Sequence, residues 1–242
     1  MKIIQLTDLH LGKEGEDTNG IDVRDNFLRA LELVEECQPD CLVITGDLCY
    51  KAPEKEIYEW AKSHLDKLSV PFELIAGNHD EPVMMSEVFN LNGDLKPDGI
   101  YYSRKIAGEK MLFLDTAPAK IAPPQMEWIR EQLNKLQQDL IIFMHHPPLL
   151  SDVPFMDKNH AFKNRSEIQQ LFSNHTHNLT IFTGHYHVER TLRLGNMEVN
   201  ITPSTFFQIS RKSPAFEVDH KVPAFRVIEK NGGKLGHSVV YF

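Results

Sequence analysis

The sequence predicts a layered α/β fold. From Lys2 to Gly184, short apolar runs typical of buried strands alternate with longer segments of helical periodicity. From Arg190 onward the pattern is one of strands alone. The alternation predicts sheets whose faces are covered by helices, and the β-rich C-terminal segment predicts that part of the sheet is antiparallel.

In the first half of the chain, each predicted element has its own signal. A helix over 23–37 places Phe27, Leu31 and Val34 at i, i+4 and i+7, which makes one of its faces apolar. A second helix is expected roughly over 53–68, and another is expected to begin near Pro82. The predicted strands of this half are 2–7, 41–45 and 72–76.

In the second half, a helix over 123–137 begins with two prolines, which fit the first turn of a helix. An Asn-Gly-Gly turn is expected to join the last two strands into a hairpin. The predicted strands of this half are 110–116, 140–144, 179–184, 190–195, 197–202, 225–230 and 234–242.

Composition limits the classes of function. With 41% hydrophobic and 25% charged residues, the 242-residue chain has the make-up of a soluble globular protein. Its net charge of −8 argues against a nucleic-acid partner, which needs a basic surface. No apolar run approaches the roughly 20 residues of a membrane span, and no signal peptide is recognisable, so a cytoplasmic location without a membrane partner is expected. Cys37, Cys41 and Cys49 are expected to be buried free thiols.

Metal-binding residue types follow five of the predicted strands. Because ligands bind at the carboxyl ends of strands in open α/β sheets, these side chains are expected to converge. A single such residue is usually a turn residue, but five coincidences in one chain favour a site. The residues are Asp8 and His10, Asp47, Asn78 and His79, His145 and His146, and His185 and His187.

Spacing and residue type support a metal site. In an extended chain, residues two apart point to the same side, so Asp8 and His10 could chelate one cation, and His185 and His187 another. Carboxylate, amide and imidazole ligands suit divalent transition metals such as Mn²⁺, Fe²⁺ or Zn²⁺. The absence of cysteine from the set argues against a structural zinc site.

Five blocks of this sequence, in this order, resemble the signature of the calcineurin-like metallophosphoesterases. They are "DLH" at 8–10, "GD" at 46–47, "GNHD" at 77–80, "MHHPP" at 144–148 and "GHYH" at 184–187. The resemblance extends from Lys2 to about Phe207. Within the superfamily the chain looks most like the class III cyclic-nucleotide phosphodiesterases and the bacterial glycerophosphodiesterases. It departs from them at Phe162, where leucine is usual, and at Phe155 or Met156, where tryptophan or leucine is typical.

The resemblance implies a four-layer sandwich of two mixed β-sheets flanked by helices. It implies a single domain over 1–242, with the motifs within 1–207 and a β-rich segment, 208–242, that completes the sheet. It also implies two divalent transition-metal ions, Mn²⁺, Fe²⁺/Fe³⁺ or Zn²⁺. By position, one ion would be held by Asp8, His10, Asp47 and His187, and the other by Asp47, Asn78, His145 and His185.

The implied reaction is hydrolysis of a small soluble phosphodiester, such as 3′,5′-cyclic AMP or a glycerophosphodiester, by a metal-bridging hydroxide. His79 is expected to stabilise the transition state and to protonate the leaving group. Asp80 either orients His79 or caps the helix near Pro82, and the role of His146 is left open. The residues expected to contact substrate are His10, Asp47, Asn78, His79 and His187.

Other functions are compatible with such a metal core. A phosphomonoesterase or a nuclease of the same superfamily is the alternative, and a non-catalytic binding module on this fold is a further one. Related enzymes often form homodimers, but no segment here indicates an interface. His160 is a candidate for the substrate cleft, whereas His175 and His177, which precede a strand, are expected in a surface loop at the opposite end.

Overall fold

The computed structural model describes residues 1–242. It contains two mixed β-sheets flanked by helices. Their elements, in chain order, are β1 (Lys2–Leu6), α1 (Val23–Cys37), β2 (Cys41–Thr45), α2 (Lys55–Leu65), β3 (Phe72–Ile75), α3 (Pro82–Phe89), β4 (Leu95–Lys96), β5 (Gly99–Ile100), β6 (Tyr102–Ile106), β7 (Glu109–Leu114), α4 (Pro123–Lys135), β8 (Leu140–Met144), α5 (Pro154–Asn159), α6 (Arg165–Ser173), β9 (Leu179–Thr183), β10 (Arg190–Leu194), β11 (Met197–Ile201), β12 (Gln208–Ile209), β13 (Val218–His220), β14 (Ala224–Asn231) and β15 (Lys234–Tyr241).

The first sheet has the strand order β15-β14-β1-β2-β3, and the second has the order β10-β11-β9-β8-β7-β6. In the first sheet β1, β2 and β3 are parallel, while β14 and β15 are antiparallel neighbours on one side. In the second sheet β7, β8, β9 and β11 run parallel, and β6 and β10 are antiparallel edges. The predicted α/β class with two mixed sheets is confirmed.

The parallel strands are apolar because both of their faces are covered. Every residue of β2 and of β8 is buried, as expected for strands that lie between helices and a second sheet. Helix α1 buries the predicted stripe that includes Phe27, Leu31 and Val34. It begins where the Asp22 side chain accepts a hydrogen bond from the Asp25 amide, and it ends at Gln38 in the left-handed conformation.

Some elements were not predicted. Strand β6 pairs with β7 across a tight turn at Ala107 and Gly108, both of which have positive φ. Helix α6 buries Ile168, Leu171 and Phe172, whose spacing is helical. Both signals are present in the sequence, but they are too short to stand out. The predicted helix over 53–68 is shorter, Lys55–Leu65.

A buried polar network joins the two sheets. Gln5 on β1 donates to Thr45 Oγ1 at 2.8 Å and to the carbonyl of Thr183 on β9 at 3.2 Å. It accepts a hydrogen bond from Thr202 just beyond β11 at 2.6 Å, and Arg226 on β14 donates to the same hydroxyl at 2.9 Å. Because an unpaired polar group would be costly in this position, the network fixes how the sheets face each other.

Most apolar side chains belong to one cluster of 61 buried residues that includes strands of both sheets. The three cysteines are free, as predicted. The prediction that they are buried is confirmed for Cys41 and Cys49 and is wrong for Cys37, which is half-buried. None of the helices combines the length and apolar character needed to cross a bilayer.

The two sheets approach each other closely at Gly184, directly after β9. A Cβ atom at this position would overlap Thr7 Oγ1 and Asp8 Oδ2, which follow β1 of the other sheet. No flexible side-chain end is available to move away, since Thr7 and Asp8 are fully buried. Glycine is therefore required at this contact between the sheets.

We expect Gly184→Ala to lower the free energy of unfolding by about 3 kcal/mol, because the methyl group must push the strand ends apart. Gly236→Ala is the matched control, since a Cβ atom there would meet nothing within 4 Å. Chemical denaturation of both variants measures the difference. Equal stabilities would contradict the close contact at Gly184.

Candidate metal centre

The seven predicted ligands converge at the carboxyl ends of β1, β2, β3, β8 and β9. Three overlapping groups of side chains have their ligand atoms within 4.8 Å of one another. They are Asp8, His10 and His187; Asp47, His145 and His185; and His10, Asp47 and His79.

In the first group, Nε2 of His187 lies 3.3 Å from Asp8 Oδ1 and 3.1 Å from Nε2 of His10. All three side chains are buried. One carboxylate oxygen and two imidazole nitrogens therefore face a common point. This is the partial ligand set predicted for the first ion.

In the second group, Nε2 of His145 lies 3.3 Å from Asp47 Oδ2 and 3.2 Å from Asn78 Oδ1. The ring centroid of His185 lies 5.0 Å from that of His145. Asp47 Oδ2 is also 3.7 Å from Nε2 of His10, a member of the first group. Asp47 therefore lies between the two groups, where a bridging ligand would have to lie.

The four ligand histidines share one second contact: the ring nitrogen turned away from the centre is held by a backbone carbonyl. Because a carbonyl only accepts, that nitrogen carries the hydrogen, and the other nitrogen presents a lone pair to the centre when the ring is neutral. The pairs are His10 Nδ1 with Tyr50 O (3.4 Å), His145 Nδ1 with Thr45 O (2.7 Å), His187 Nδ1 with Phe207 O (2.9 Å) and His185 Nε2 with His160 O (3.0 Å).

The charges of the group also suit cations. Burial alone would raise the pKa of Asp8, but His187 and His145 lower it to about 2. Burial lowers the pKa of His10 to about 4 and that of His185 to about 3, which favours neutral rings. Although burial opposes it, contact with Asp47 and Asp8 raises the pKa of His145 to about 9, so the carboxylates attract positive charge to this point. The donor set fits two divalent transition-metal ions.

The backbone at the centre is left-handed, not extended. The side chains converge as expected, but the reason given from sequence is wrong. That reason, an extended chain whose alternate side chains point to the same side, does not apply to left-handed residues. Asp8 and His10 nevertheless share one group, whereas His185 and His187 belong to different ones. Five of the seven ligands have positive φ: Asp8 (54°), His10 (45°), Asp47 (54°), His185 (67°) and His187 (50°).

His79 lies beside the centre and is half-buried. Its amide donates to Asp47 Oδ1 at 2.9 Å, and its Nδ1 contacts the carbonyl of Lys51 at 3.1 Å. Its ring packs edge-on against His10, with centroids 4.9 Å apart. The contact with Lys51 leaves Nε2 of His79 as the nitrogen that is free to reach a ligand.

Asp80 has neither of the two roles considered from sequence. Its carboxylate accepts hydrogen bonds from the amides of Leu48 and Gly77 at 3.1 and 2.9 Å and from the Tyr58 hydroxyl at 3.0 Å. Helix α3 is capped instead by Glu81, whose side chain accepts from two amides of the first turn. Burial and the nearby Asp47 raise the pKa of Asp80 to about 6. Asp80 ties the loop that carries Asp47 to the loop that carries Asn78.

Three further histidines were considered from sequence. His146 is buried, contacts Thr116 Oγ1 at 3.1 Å and packs against His185, with ring centroids 4.0 Å apart. His160 is exposed at the rim, 6.3 Å from His185 between ring centroids. The prediction of a surface position is wrong for His175, which is buried and contacts the carbonyl of Gln138 at 3.0 Å.

Two hydroxyl groups near Asp8 were not predicted. Thr7 Oγ1 donates to Asp8 Oδ2 at 2.8 Å, and Ser204 Oγ donates to the Asp8 carbonyl at 2.9 Å. The amide of His185 donates to both carboxylate oxygens of Asp8, at 2.9 Å to Oδ2 and 3.1 Å to Oδ1. Oδ2 thus accepts from two protein groups, and Oδ1 is the oxygen that lies 3.3 Å from Nε2 of His187. Nothing in the sequence marks Ser204, since it comes from a loop 196 residues away.

Residues 1–189 match the family model described as calcineurin-like phosphoesterase. The chain belongs to the calcineurin-like phosphoesterase family. The predicted family is confirmed, and the chain is a metallophosphoesterase, a hydrolase of phosphate esters. The family match ends at Glu189, so it includes all seven predicted metal ligands and His79.

The relatives match over most of their lengths. A protein of Fibrobacter succinogenes named "Probable cyclic nucleotide phosphodiesterase" is 34% identical over 242 residues, which are 100% of this chain and 94% of that protein. The 3′,5′-cyclic adenosine monophosphate phosphodiesterase CpdA of Escherichia coli K12 is 26% identical, over 95% of this chain and 85% of its own. A dimetal phosphatase from Danio rerio shares the fold, with a TM-score of 0.69, 14% identity and coverage of 99% of this chain and 98% of that one.

We expect the purified protein to bind about two transition-metal ions per chain, and Asp80→Ala to weaken this binding by about 10- to 100-fold. Without Asp80, the loops that carry Asp47 and Asn78 lose their common anchor. Metal titration followed by elemental analysis measures the effect.

The control is Glu81→Ala, which removes the cap of α3 and should cost about 1 kcal/mol of stability without a loss of metal. If the Asp80 variant binds both ions as tightly as the Glu81 variant does, the anchoring role is wrong.

Proposed function

We propose that the chain hydrolyses a small phosphodiester and uses two divalent transition-metal ions to do so. The observation that carries the proposal is that the two groups of candidate ligands meet at Asp47. In addition, a backbone carbonyl holds the outer ring nitrogen of each histidine in these groups. Such oriented outer contacts are typical of metal-binding histidines and are not needed in a purely structural core.

Asp8, His10, Asp47 and His187 would hold one ion, and Asp47, Asn78, His145 and His185 the other. When bound, the ions would lower the pKa of a water molecule to near neutrality and offset negative charge on the phosphoryl oxygens. Manganese, iron and zinc all suit the site, because carboxylate and imidazole ligands serve all three.

The chain's own residues orient the phosphate group. The proposed contacts with substrate are those of His10, Asp47, Asn78, His79 and His187. Asn78 is exposed, and His79 is half-buried beside it, so both can be reached from solvent. Because Nδ1 of His79 is held by Lys51, donation to the leaving oxygen would come from Nε2 of the doubly protonated ring.

The diester class is supported by relatives over the whole chain. The relatives from Fibrobacter succinogenes and Escherichia coli are both named as cyclic-nucleotide phosphodiesterases, and the first of them matches all 242 residues. We therefore propose a cyclic nucleotide such as 3′,5′-cyclic AMP, or a glycerophosphodiester, as substrate. The single domain over 1–242, the cytoplasmic location and the homodimer stay predictions.

The first test is a turnover panel with the metal-loaded protein. We expect 3′,5′-cyclic AMP or a glycerophosphodiester to be hydrolysed with a higher kcat/KM than a generic phosphomonoester. Turnover is measured by formation of AMP from cyclic AMP, of the free alcohol from the glycerophosphodiester and of phosphate from the monoester, with a chelator-treated sample as control. Faster turnover of the monoester would overturn the phosphodiesterase proposal.

The second test is His79→Ala. We expect kcat to fall by about 100-fold or more because a proton donor to the leaving oxygen is lost. Elemental analysis should still find both ions, and His177→Ala, at the opposite end of β9, should behave as wild type. Unchanged turnover would contradict the catalytic role, and loss of one ion would make His79 a ligand.

A further inference from the structure

An exposed phenylalanine lies near the metal centre. Phe216 is 53% exposed, in the loop between β12 and β13. Single exposed apolar residues are normal on protein surfaces. Phe216 differs because it packs on two other phenylalanines, Phe207 and Phe155. Phe207 contacts His187 of the centre, and Phe155 contacts His160 at the rim.

On one side, the ring of Phe216 lies 5.8 Å from that of Phe207, at an interplanar angle of 73°. Phe207 packs on His187 with a centroid distance of 5.1 Å, and its carbonyl holds Nδ1 of the same histidine. Two ring-to-ring steps therefore separate Phe216 from a residue of the first ligand group.

On the other side, Phe216 lies 5.6 Å from Phe155 of α5, at 60°. The next ring is that of His160, 5.4 Å from Phe155, and the carbonyl of His160 holds His185. Phe155 and Phe216 thus form a pair of rings at the rim of the centre, on the side of His185 and His187.

The pair is held in place. The loop of Phe216 is closed by a hydrogen bond from the Ser210 amide to the Glu217 carbonyl at 2.8 Å. Helix α5 is tied to the centre because the hydroxyl of Tyr186, between the two histidines, donates to Asp157 at 2.9 Å. A preorganised surface loses little freedom when a ligand binds.

We propose that Phe155 and Phe216 form a stacking platform for the base of a nucleotide substrate. The inference rests on the proposed function and favours one of its two substrate classes, the cyclic nucleotides. Stacking on an aromatic ring suits any planar base, whereas the polar backbone of a glycerophosphodiester gains nothing from an exposed phenyl face. The sugar of a nucleotide separates its phosphate from its base, as two ring-to-ring steps separate His187 from Phe216. The platform makes cyclic nucleotides the favoured substrates.

The test compares Phe216→Ala and Phe155→Ala with Phe216→Trp, which keeps an aromatic ring. Leu194→Ala is the surface control, since Leu194 is 49% exposed and lies on the edge strand β10. We expect KM for 3′,5′-cyclic AMP to rise about tenfold or more in both alanine variants. The kcat for cyclic AMP and the KM for a glycerophosphodiester should not change, and the other two variants should match wild type.

Calorimetry of 5′-AMP and glycerol 3-phosphate binding to the metal-loaded protein separates the two proposals. If no diester is hydrolysed, the proposed function is wrong, yet weaker 5′-AMP binding by Phe216→Ala would still support the platform. If cyclic AMP is hydrolysed but both alanine variants keep its KM, the platform is wrong and the function stands.

Wild-type protein that binds 5′-AMP no more tightly than glycerol 3-phosphate would also overturn the platform. The platform would also be wrong if Phe216→Ala changed the protein from dimer to monomer without changing nucleotide binding. The rings would then be covered by a second copy of the chain.

Discussion

The close approach of strand-end loops from the two sheets is the constraint on which the rest of the structure depends. The first sheet supplies both carboxylates, Asp8 and Asp47, and the second supplies His145, His185 and His187. The group of Asp8, His10 and His187 and the group of Asp47, His145 and His185 therefore each combine residues of both sheets. Gly184 permits this approach, because any side chain there would occupy the space of Thr7 and Asp8.

The convergence has an energetic cost that is spread over the backbone and the charges. A non-glycine residue in the left-handed conformation costs about 1–2 kcal/mol, and five ligands adopt it. The carboxylates of Asp8 and Asp47 are also buried close together, and burial disfavours the ionised form of each. Backbone hydrogen bonds to Asp8 and Asp47 offset part of this cost, and bound cations would offset more. Strain of this kind persists only where the surroundings hold it, and it concentrates at functional sites.

The sequence was sufficient to predict the fold class and to single out the side chains that converge, because buried parallel strands and metal-binding residue types leave strong local signals. It was not sufficient to predict how the ligands converge: the left-handed turns at Asp8 and His185 depend on contacts between the sheets. The role of Asp80 depends on three groups that come from separate segments. The burial of His175 likewise depends on the carbonyl of Gln138, 37 residues earlier in the chain. Such pairings have no local pattern.

Thr45 connects the rigid interior to the chemistry. Its hydroxyl accepts a hydrogen bond from Gln5, within the network that joins the sheets, while its carbonyl holds Nδ1 of His145. The orientation of His145 is thus set by the packing of the two sheets. The rim is built differently, because Phe216 lies on a surface loop and Phe155 in a six-residue helix. Loops can change without loss of the core. In the proposed function, the candidate metal centre would therefore stay fixed while the rim selects among phosphodiesters.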